Sequence, residues 1–408
     1  MNNTIKLAVA AALLAGASSA NAGIMIPAGD WTLDIGGVVN AYYTSTRHSG
    51  ASVGLGGANS TNFGVTDNNN KTQANITTGL LPNYLSVSGK TRQNDLDVGF
   101  TISINPGAST TRSGEQNSPN NQENRQAFLT FGDKSWGSIK VGKDLGIYAS
   151  DAILNDMTLL GVGSGAGILA GNTTTLGRIG TGFMYADWKS QIAYSSPNWN
   201  GFSFTAGVTQ AWNVIGALGA LSDTSNARGG SSPAFEGKAS YEWAGDFGGK
   251  VWVSGLSQKV KGLAVGGSDT ADAWDIGATV NVAGFGLTAY YGQGDGTGTT
   301  IQFRDGYDAA GKSRDSDDYY VQGTYTLPGV GTKLGISYGK STLDGNGAAD
   351  ALDEYSNRMW TVGAYHPLTK HLNLVAEYSD VKTTIDLDAA PSADGKSKTI
   401  SLGAIMFF

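Results

Sequence analysis

The last ten residues of the chain, TISLGAIMFF, alternate in polarity like an extended strand with one apolar face. That face carries Ile400, Leu402, Ala404, Met406 and Phe408. Successive side chains of a strand point to opposite sides, and an apolar face that ends in a terminal aromatic ring is typical of a lipid-facing strand of a membrane barrel. A buried terminal strand of a soluble β-protein is the alternative interpretation.

The amino-terminal residues 1–22 have the three parts of a secretory signal peptide. The cation Lys6 precedes the short apolar run LAVAAALLAGA, and the tripeptide ANA at 20–22 provides a small-residue cleavage site. The run is too short to span a bilayer, which argues against a first transmembrane helix. We therefore predict an exported protein whose mature part, residues 23–408, is a single domain.

The composition favours strands and tight turns over helices or disorder. The chain has 60 glycines, 17 tyrosines, 13 phenylalanines and 9 tryptophans but only 9 prolines, and aromatic residues are enriched in strands. It has no cysteine, so disulfides, cysteine-ligated metals and thiol nucleophiles are excluded. Beyond the signal peptide no apolar run is long enough for a membrane helix. The net charge of −7 and the absence of a basic cluster argue against nucleic-acid binding.

Alternating segments bounded by turn residues recur along the whole mature chain. In FSFTAGV, at 202–208, apolar and small polar residues alternate without interruption. We predict sixteen such strands, at about 31–46, 80–92, 94–105, 123–133, 136–145, 178–197, 201–212, 233–246, 249–260, 272–283, 285–294, 317–327, 331–343, 356–367, 371–383 and 397–408.

The connections between these strands alternate between short and long. Those after even-numbered strands are short, such as GDKSW and VAGFG, and those after odd-numbered strands are long and polar. Short turns at one end and long loops at the other are the pattern of an outer-membrane barrel. Aromatic residues near both kinds of connection predict two interfacial bands; those near long loops are Tyr42, Tyr43, Tyr148, Tyr291, Tyr319 and Tyr355.

A sheet that crosses a membrane must close on itself, because an unpaired backbone amide in hydrocarbon costs several kcal/mol. The first strand must therefore pair with the last. The inward positions are mostly small or polar, and sixteen strands enclose a lumen wide enough for water. The fold class that we predict is all-β: a sixteen-stranded antiparallel transmembrane β-barrel.

At this point the chain resembles the trimeric general porins of Gram-negative bacteria over its whole mature length. The segment QIAYSSPNWNGFSF at 191–204 is similar to the Tyr-x-x-Pro hairpin of that family, and the segment 137–159 to the strand that leads into its third loop. The terminal strand, ending in Phe408, resembles the signal that the barrel assembly machinery recognises. The resemblance implies a homotrimer in contact with outer-membrane lipid, and a third loop, here 146–177, that folds inward. The apolar run of this loop could alternatively be a short helix on the outer surface.

The resemblance also implies a constriction in which loop carboxylates face cationic wall residues, since opposed charges in a narrow lumen create a transverse field. Alternation places Lys90, Arg92 and Lys140 on inward faces, whereas the direction of Arg125 is ambiguous. The candidate constriction residues are Lys90, Arg92, Arg125, Lys140, Asp144, Asp151, Asp156 and Arg178.

The function predicted from these features is passive diffusion of ions and small hydrophilic solutes through a water-filled outer-membrane channel. Two alternatives remain: a channel selective for small anions or carboxylates, and a structural or adhesive barrel. An enzyme is disfavoured, because the chain has three histidines and no hydrolase, metalloprotease or phosphate-loop motif. No cofactor and no metal is predicted. Two oxygen-rich segments, 66–70 and 314–318, could bind calcium but match no EF-hand spacing.

Overall fold

The computed structural model describes residues 23–51, 72–109, 122–164, 174–216, 218, 221–223, 232–264, 267–347 and 349–408. The signal peptide predicted at 1–22 and the oxygen-rich segment 66–70 lie outside these residues.

The described residues form nineteen antiparallel strands and very little helix. They are β1 (Ile24–Ala28), β2 (Trp31–Gly50), β3 (Thr72–Thr77), β4 (Tyr84–Gln93), β5 (Leu96–Pro106), β6 (Gln122–Glu123), β7 (Ala127–Asp133), β8 (Gly137–Leu145), β9 (Trp188–Ser195), β10 (Phe202–Thr209), β11 (Ala234–Trp243), β12 (Phe247–Lys261), β13 (Ser268–Val282), β14 (Phe285–Asp295), β15 (Asp315–Thr326), β16 (Lys333–Asp344), β17 (Leu352–Pro367), β18 (Leu372–Leu387) and β19 (Ala390–Phe407). None of the helices in this part of the chain has the length and apolar character needed to cross a bilayer.

The nineteen strands occupy sixteen positions in one closed ring, as predicted. β3 and β4 pair with successive parts of β2 and share a position, and β6 and β7 share one beside β5. β1 pairs with residues 31–35 of β2, in line with β19, which pairs with residues 38–50. The remaining strands pair in chain order, so every strand position has a neighbour on both sides.

The ring closes where the last strand meets the first long strand. Phe407 lies opposite Val38, and the Phe408 carbonyl oxygen accepts a hydrogen bond of 2.8 Å from the Gly37 N–H. Gly37 has no space for a side chain: a methyl group there would lie 2.4 Å from the Tyr84 carbonyl oxygen and 2.6 Å from the Phe408 ring. A glycine is therefore required at the closure.

We expect Gly37→Ala to lower the free energy of unfolding by about 1–3 kcal/mol, because the methyl group overpacks the closure. The temperature at which the folded barrel converts to the unfolded band on a gel measures this loss. Gly237→Ala is the matched control, since its methyl group would lie 3.6 Å from the nearest atom, the Thr205 carbonyl oxygen. Equal stability of the two variants would contradict the steric argument.

The outward faces of the strands are apolar and the inward faces largely polar. On β14, Leu287 is 61% exposed whereas its neighbour Thr288 is 7% exposed. The same alternation places exposed Ile192, Ile276 and others on the outside of their strands. An apolar exterior around a polar interior is the arrangement that a bilayer requires of a barrel.

Large aromatic side chains also point inward, among positions that were predicted to be mostly small or polar. Three tyrosines assigned to an interfacial band, Tyr42, Tyr148 and Tyr355, are each 1% exposed inside the barrel. Tyr290 and Tyr320 lie in a buried apolar cluster. These rings pack against the inward-folded loops, a long-range contact that alternation along one strand does not reveal.

Strand boundaries differ most from the prediction in two regions. Residues 178–187 are not strand, because positive φ angles at Gly180 (70°) and Asp187 (55°) interrupt the extended backbone, and β9 begins at Trp188. β18 and β19 extend to a tight connection at residues 388–389, where a long loop was expected. The hairpin they form therefore carries its outward side chains farther toward the extracellular end.

Candidate pore constriction

The third loop leaves the wall after β8 and folds into the barrel, as predicted. It covers residues 146–187 and contains the short helix α1 (Ser150–Leu154) and a 3₁₀ helix (Met157–Leu160). Both helices lie inside the ring, so the alternative of a helix on the outer surface is wrong.

A buried carboxylate on the wall holds the start of the loop. The N–H groups of Ile147 and Tyr148 donate to Glu236 of β11 at 2.8 and 2.9 Å. Glu236 also forms an ion pair with Lys189 of β9, and both side chains are fully buried. This pairing offsets the desolvation of the carboxylate.

The middle of the loop is bonded to β15. The Tyr320 hydroxyl donates to the Ala152 carbonyl at 2.9 Å. The Gln322 amide accepts from the Met157 N–H at 2.6 Å and donates to the Asn155 carbonyl at 3.0 Å. Each bond satisfies a backbone group that a short helix leaves unpaired.

A second buried carboxylate, Glu377 of β18, holds the far part of the loop. It accepts from the N–H groups of Val162 and Gly163 at 2.7 and 2.9 Å, and from the Tyr365 hydroxyl at 2.6 Å. Both backbone donors lack another partner in the hydrogen bonds of the described residues. Glu377 therefore fixes the position of this turn of the loop.

The loop continues to the first strands of the barrel. The Tyr42 hydroxyl of β2 donates to the Leu160 carbonyl at 2.7 Å, and the Leu80 N–H donates to the Gly161 carbonyl at 2.8 Å. The described part of the loop thus lies against the inner faces of β11, β12, β15, β16, β17, β18 and β2. Within the described residues, the helical part, residues 150–160, makes no hydrogen bond to β4, β5, β7 or β8.

Asp151 of α1 lies between two wall lysines. Its carboxylate is 3.0 Å from Lys238 of β11 and 2.6 Å from Lys250 of β12. Burial acts to raise the pKa of Asp151, but the two ammonium groups outweigh it and hold the pKa below its usual value. Asp151 is therefore ionised at neutral pH, and the lysines retain partial exposure to the lumen.

Asp156 and Arg178 are buried inside the loop. Asp156 caps the 3₁₀ helix through Thr158 and lies 4.0 Å from Arg178, which also donates to the Met359 carbonyl of β17 at 3.2 Å. Burial raises the pKa of Asp156, and the nearby guanidinium partly offsets this. Neither side chain is exposed. The prediction that Asp156 and Arg178 face the water path is therefore wrong, and both residues instead stabilise the folded loop.

Lys140 and Asp144 lie on the inner face of β8, in agreement with the alternation. They form an ion pair with each other, and the Lys140 ammonium lies 4.9 Å from the centre of the Phe128 ring. Gln126 donates to the Asp144 carboxylate at 2.9 Å. Lys140 is partly exposed whereas Asp144 is buried, so the lysine is the one of the pair that faces the lumen.

The predicted cations Lys90 and Arg92 lie at different heights along the barrel axis. Lys90 of β4 is exposed, whereas Arg92 lies beside the short turn after β4 and pairs with Asp97 and Asp133 at 2.8 and 2.9 Å. Arg92 is thus at the periplasmic end, because only two residues separate β4 from β5, and its assignment to the constriction is corrected.

Arg125, whose direction the sequence left ambiguous, is buried on the extracellular side of the lumen. It pairs with Glu123 at 2.9 Å and lies over the Trp188 ring at 5.8 Å, close to Tyr185 of the loop. β6 and β7 are interrupted at residues 124–126, which is why strand parity does not assign its side.

Sequence reasoning missed the wall residues that hold the loop: Lys189, Glu236, Lys238, Lys250 and Glu377. A signal was present, since Glu236, Lys238 and Ser240 alternate with the outward Phe235 and Tyr241. Parity alone predicts inward side chains there, but the contact with α1 depends on the path of the loop.

The described residues, which include the segment 314–318 but not 66–70, contain no cluster of three or more acidic, histidine or cysteine ligands. In the segment 314–318, Arg314 is buried and forms a bidentate ion pair with Asp350, with distances of 2.6 and 2.7 Å. Hydrogen bonding to Arg314 helps to hold the pKa of Asp350 below its usual value despite burial, which acts to raise it.

Solved structures share this architecture. The chain is similar to the outer membrane channel DcaP of Acinetobacter baumannii, with a TM-score of 0.68 and 17% identity over 94% of this chain and 99% of that one. The anion-selective porin from Comamonas acidovorans has a TM-score of 0.60 and 15% identity, over 93% of this chain and 100% of that one. Salmonella typhi OmpF in complex with daunomycin has a TM-score of 0.53 and 17% identity, over 93% of this chain and 100% of that one. At these identities the similarity concerns the fold alone.

The family follows from the sequence. A family model described as Gram-negative porin matches residues 8–386. The chain belongs to the Gram-negative porin family. This porin is an outer-membrane channel for passive diffusion, and its family and fold are those of non-enzymatic channels. No curated protein matches its sequence.

Proposed function

We propose that this porin is exported by the signal peptide 1–22 and forms a homotrimer in which each barrel has its own water path. In each barrel the path for ions and small hydrophilic solutes runs between the third loop and the inner faces of β4, β5, β7 and β8. One of the solved Vibrio cholerae OmpT structures is described as a trimer form, which supports this assembly.

The direction of the loop's hydrogen bonds carries the proposal: the helical part, residues 150–160, is bonded to β15, and none of its hydrogen bonds within the described residues reaches β4, β5, β7 or β8. Ser254 and Thr361, on the strands that hold the loop, are buried. Ser88, Thr101 and Thr130, at inward positions of β4, β5 and β7, retain exposure to the lumen. Hydroxyl groups along an open wall can hydrogen-bond permeating water and solutes.

A modest preference for anions follows from the charges beside this path. Lys90, Lys140, Lys238 and Lys250 are all partly or fully exposed, and the carboxylates of Asp144 and Asp151 are buried against them. Glu242, 3.1 Å from Lys250, is an exposed carboxylate that partly offsets these cations. Exposed cations in a low-dielectric lumen raise the local anion concentration. The Comamonas relative is described as anion-selective, so a channel selective for small anions or carboxylates is the second candidate.

Assembly of the barrel is proposed to depend on Phe408 as the signal that the barrel assembly machinery reads. The ring of Phe408 packs against Gly37 at the closure, so recognition of the terminal strand and closure of the ring would involve the same residue. Outer-membrane lipid is the proposed partner of the apolar exterior. An adhesive or structural role is disfavoured by the partly exposed polar wall.

Purified, refolded protein inserted into a planar bilayer tests the function. We expect ohmic conductance steps in groups of three, and a zero-current potential in a salt gradient whose sign corresponds to anion preference. Protein that is folded but does not conduct would contradict the channel. Single steps would contradict the trimer alone, and a potential of opposite sign would contradict only the anion preference.

A further inference from the structure

The outer face of β17, β18, β19 and β2 carries basic side chains in register on neighbouring strands. Arg358 lies directly opposite Lys382, which lies opposite Lys396. Two residues nearer the periplasm, Lys398 lies opposite Arg47. We call these five residues the basic patch.

The side chains of the basic patch point away from the lumen. Met359, Val381 and Ser397, which adjoin them along the strands, are buried inside the barrel, and successive side chains point to opposite faces. Arg358 and Lys396 are exposed. Within the described part of the chain, neither has a carboxylate at ion-pairing distance.

The patch carries an excess of positive charge. Within the residues that the structure describes, its carboxylate partners are Asp394, 3.4 Å from Lys382, and Asp380, 3.6 Å from Lys398. Five cations thus share two carboxylates. Like charges directly opposite each other on adjacent strands are destabilising, so this arrangement gains stability when an external anion lies between them.

The depth of the patch in the membrane identifies the anion. Lys382 lies ten residues from Leu372, the first residue of β18, which follows a short turn. Ten residues of a tilted strand rise about 25 Å along the barrel axis. This rise equals the height of the apolar band, so the patch lies at its extracellular edge. Beside the patch, Trp360 is exposed on the outside and its ring lies 4.6 Å from that of Tyr338. Such rings mark the boundary between hydrocarbon and headgroups.

We propose that the basic patch binds the phosphate-bearing headgroups of lipids in the outer leaflet. Lysine and arginine at a membrane surface attract anionic headgroups, and guanidinium and ammonium groups form charge-assisted hydrogen bonds with phosphate. The binding requires only that the barrel spans the membrane, and it is independent of conduction through the lumen.

Native mass spectrometry of the detergent-purified porin, titrated with dioleoyl phosphatidic acid or dioleoyl phosphatidylcholine, tests the proposal. The variant is Arg358→Gln/Lys396→Gln, which removes the two cations without carboxylate partners. The matched control is Lys259→Gln/Lys261→Gln, which removes two exposed cations from β12. Folding of both is verified by gel mobility before and after heating, and the single variants replace the double variant if it does not fold.

We expect the patch variant to lose affinity for phosphatidic acid by about tenfold or more, and the control variant by less than twofold. Phosphatidylcholine should bind both equally, and excess inorganic phosphate should not displace the lipid. Equal losses in both variants, an unchanged patch variant, or displacement by inorganic phosphate would overturn the proposal. Loss of the subunit assembly with lipid affinity retained would also overturn it, because the patch would then be an interface between copies of the chain.

Discussion

Glu377→Met is expected to increase the conductance of this porin and the noise of its open-channel current. The substitution keeps the length of the side chain but removes the acceptors for the Val162 and Gly163 N–H groups and the Tyr365 hydroxyl. Each buried donor left without a partner costs about 1–3 kcal/mol, so the far part of the loop should detach. The current through the channel depends on its narrowest cross-section. We therefore expect the conductance in planar bilayers to rise to about 1.5 to 2 times the wild-type value.

Glu377→Gln is the control, because an amide oxygen can still accept from the loop. It should conduct like the wild type. The strand ladder of β18 does not involve this side chain, so both variants should keep the heat resistance of the folded barrel. Wild-type conductance and noise in the Met variant would show that Glu377 does not hold the loop.

The barrel itself could be predicted from the sequence because its physical cause is local. Alternation along each strand and the order of short and long connections depend on neighbouring residues, and closure follows from the cost of unpaired amides in hydrocarbon. The pairing of β19 with β2 is therefore the outcome that alternation and closure require.

The constriction was less predictable because it depends on contacts between residues far apart in the chain. Arg178 and Asp156 are charged and lie in the loop, yet they pair with each other in its interior. Lys250 belongs to a strand with ordinary alternation, and only the position of α1 brings Asp151 within 2.6 Å of it. Charge and parity identify which side chains enter the lumen, but not which of them the folded loop covers.

Asp151→Asn and Lys250→Gln are expected to shift the ion selectivity in opposite directions. Both substitutions break the ion pair between α1 and β12; Asp151→Asn also removes the pair with Lys238, and Lys250→Gln the pair with Glu242. The first removes a negative charge from the lumen and should increase anion permeability relative to cations, whereas the second removes a positive charge and should reduce it. We expect each permeability ratio to change by about two- to fivefold.

The zero-current potential in a potassium chloride gradient near 0.1 M measures both shifts, because the Debye length of about 10 Å at that concentration preserves the field of single charges. Asp380→Asn makes the same charge change on the outer surface and should leave the potential unchanged. The pKa of Asp151 lies below its usual value, so the stabilising contact is present at neutral pH and is lost only as the pH falls through that lowered pKa. In that acid range the wild type should approach the selectivity of Asp151→Asn, and shifts of the same sign in Asp151→Asn and Lys250→Gln would show that loop loosening, not charge, sets the selectivity.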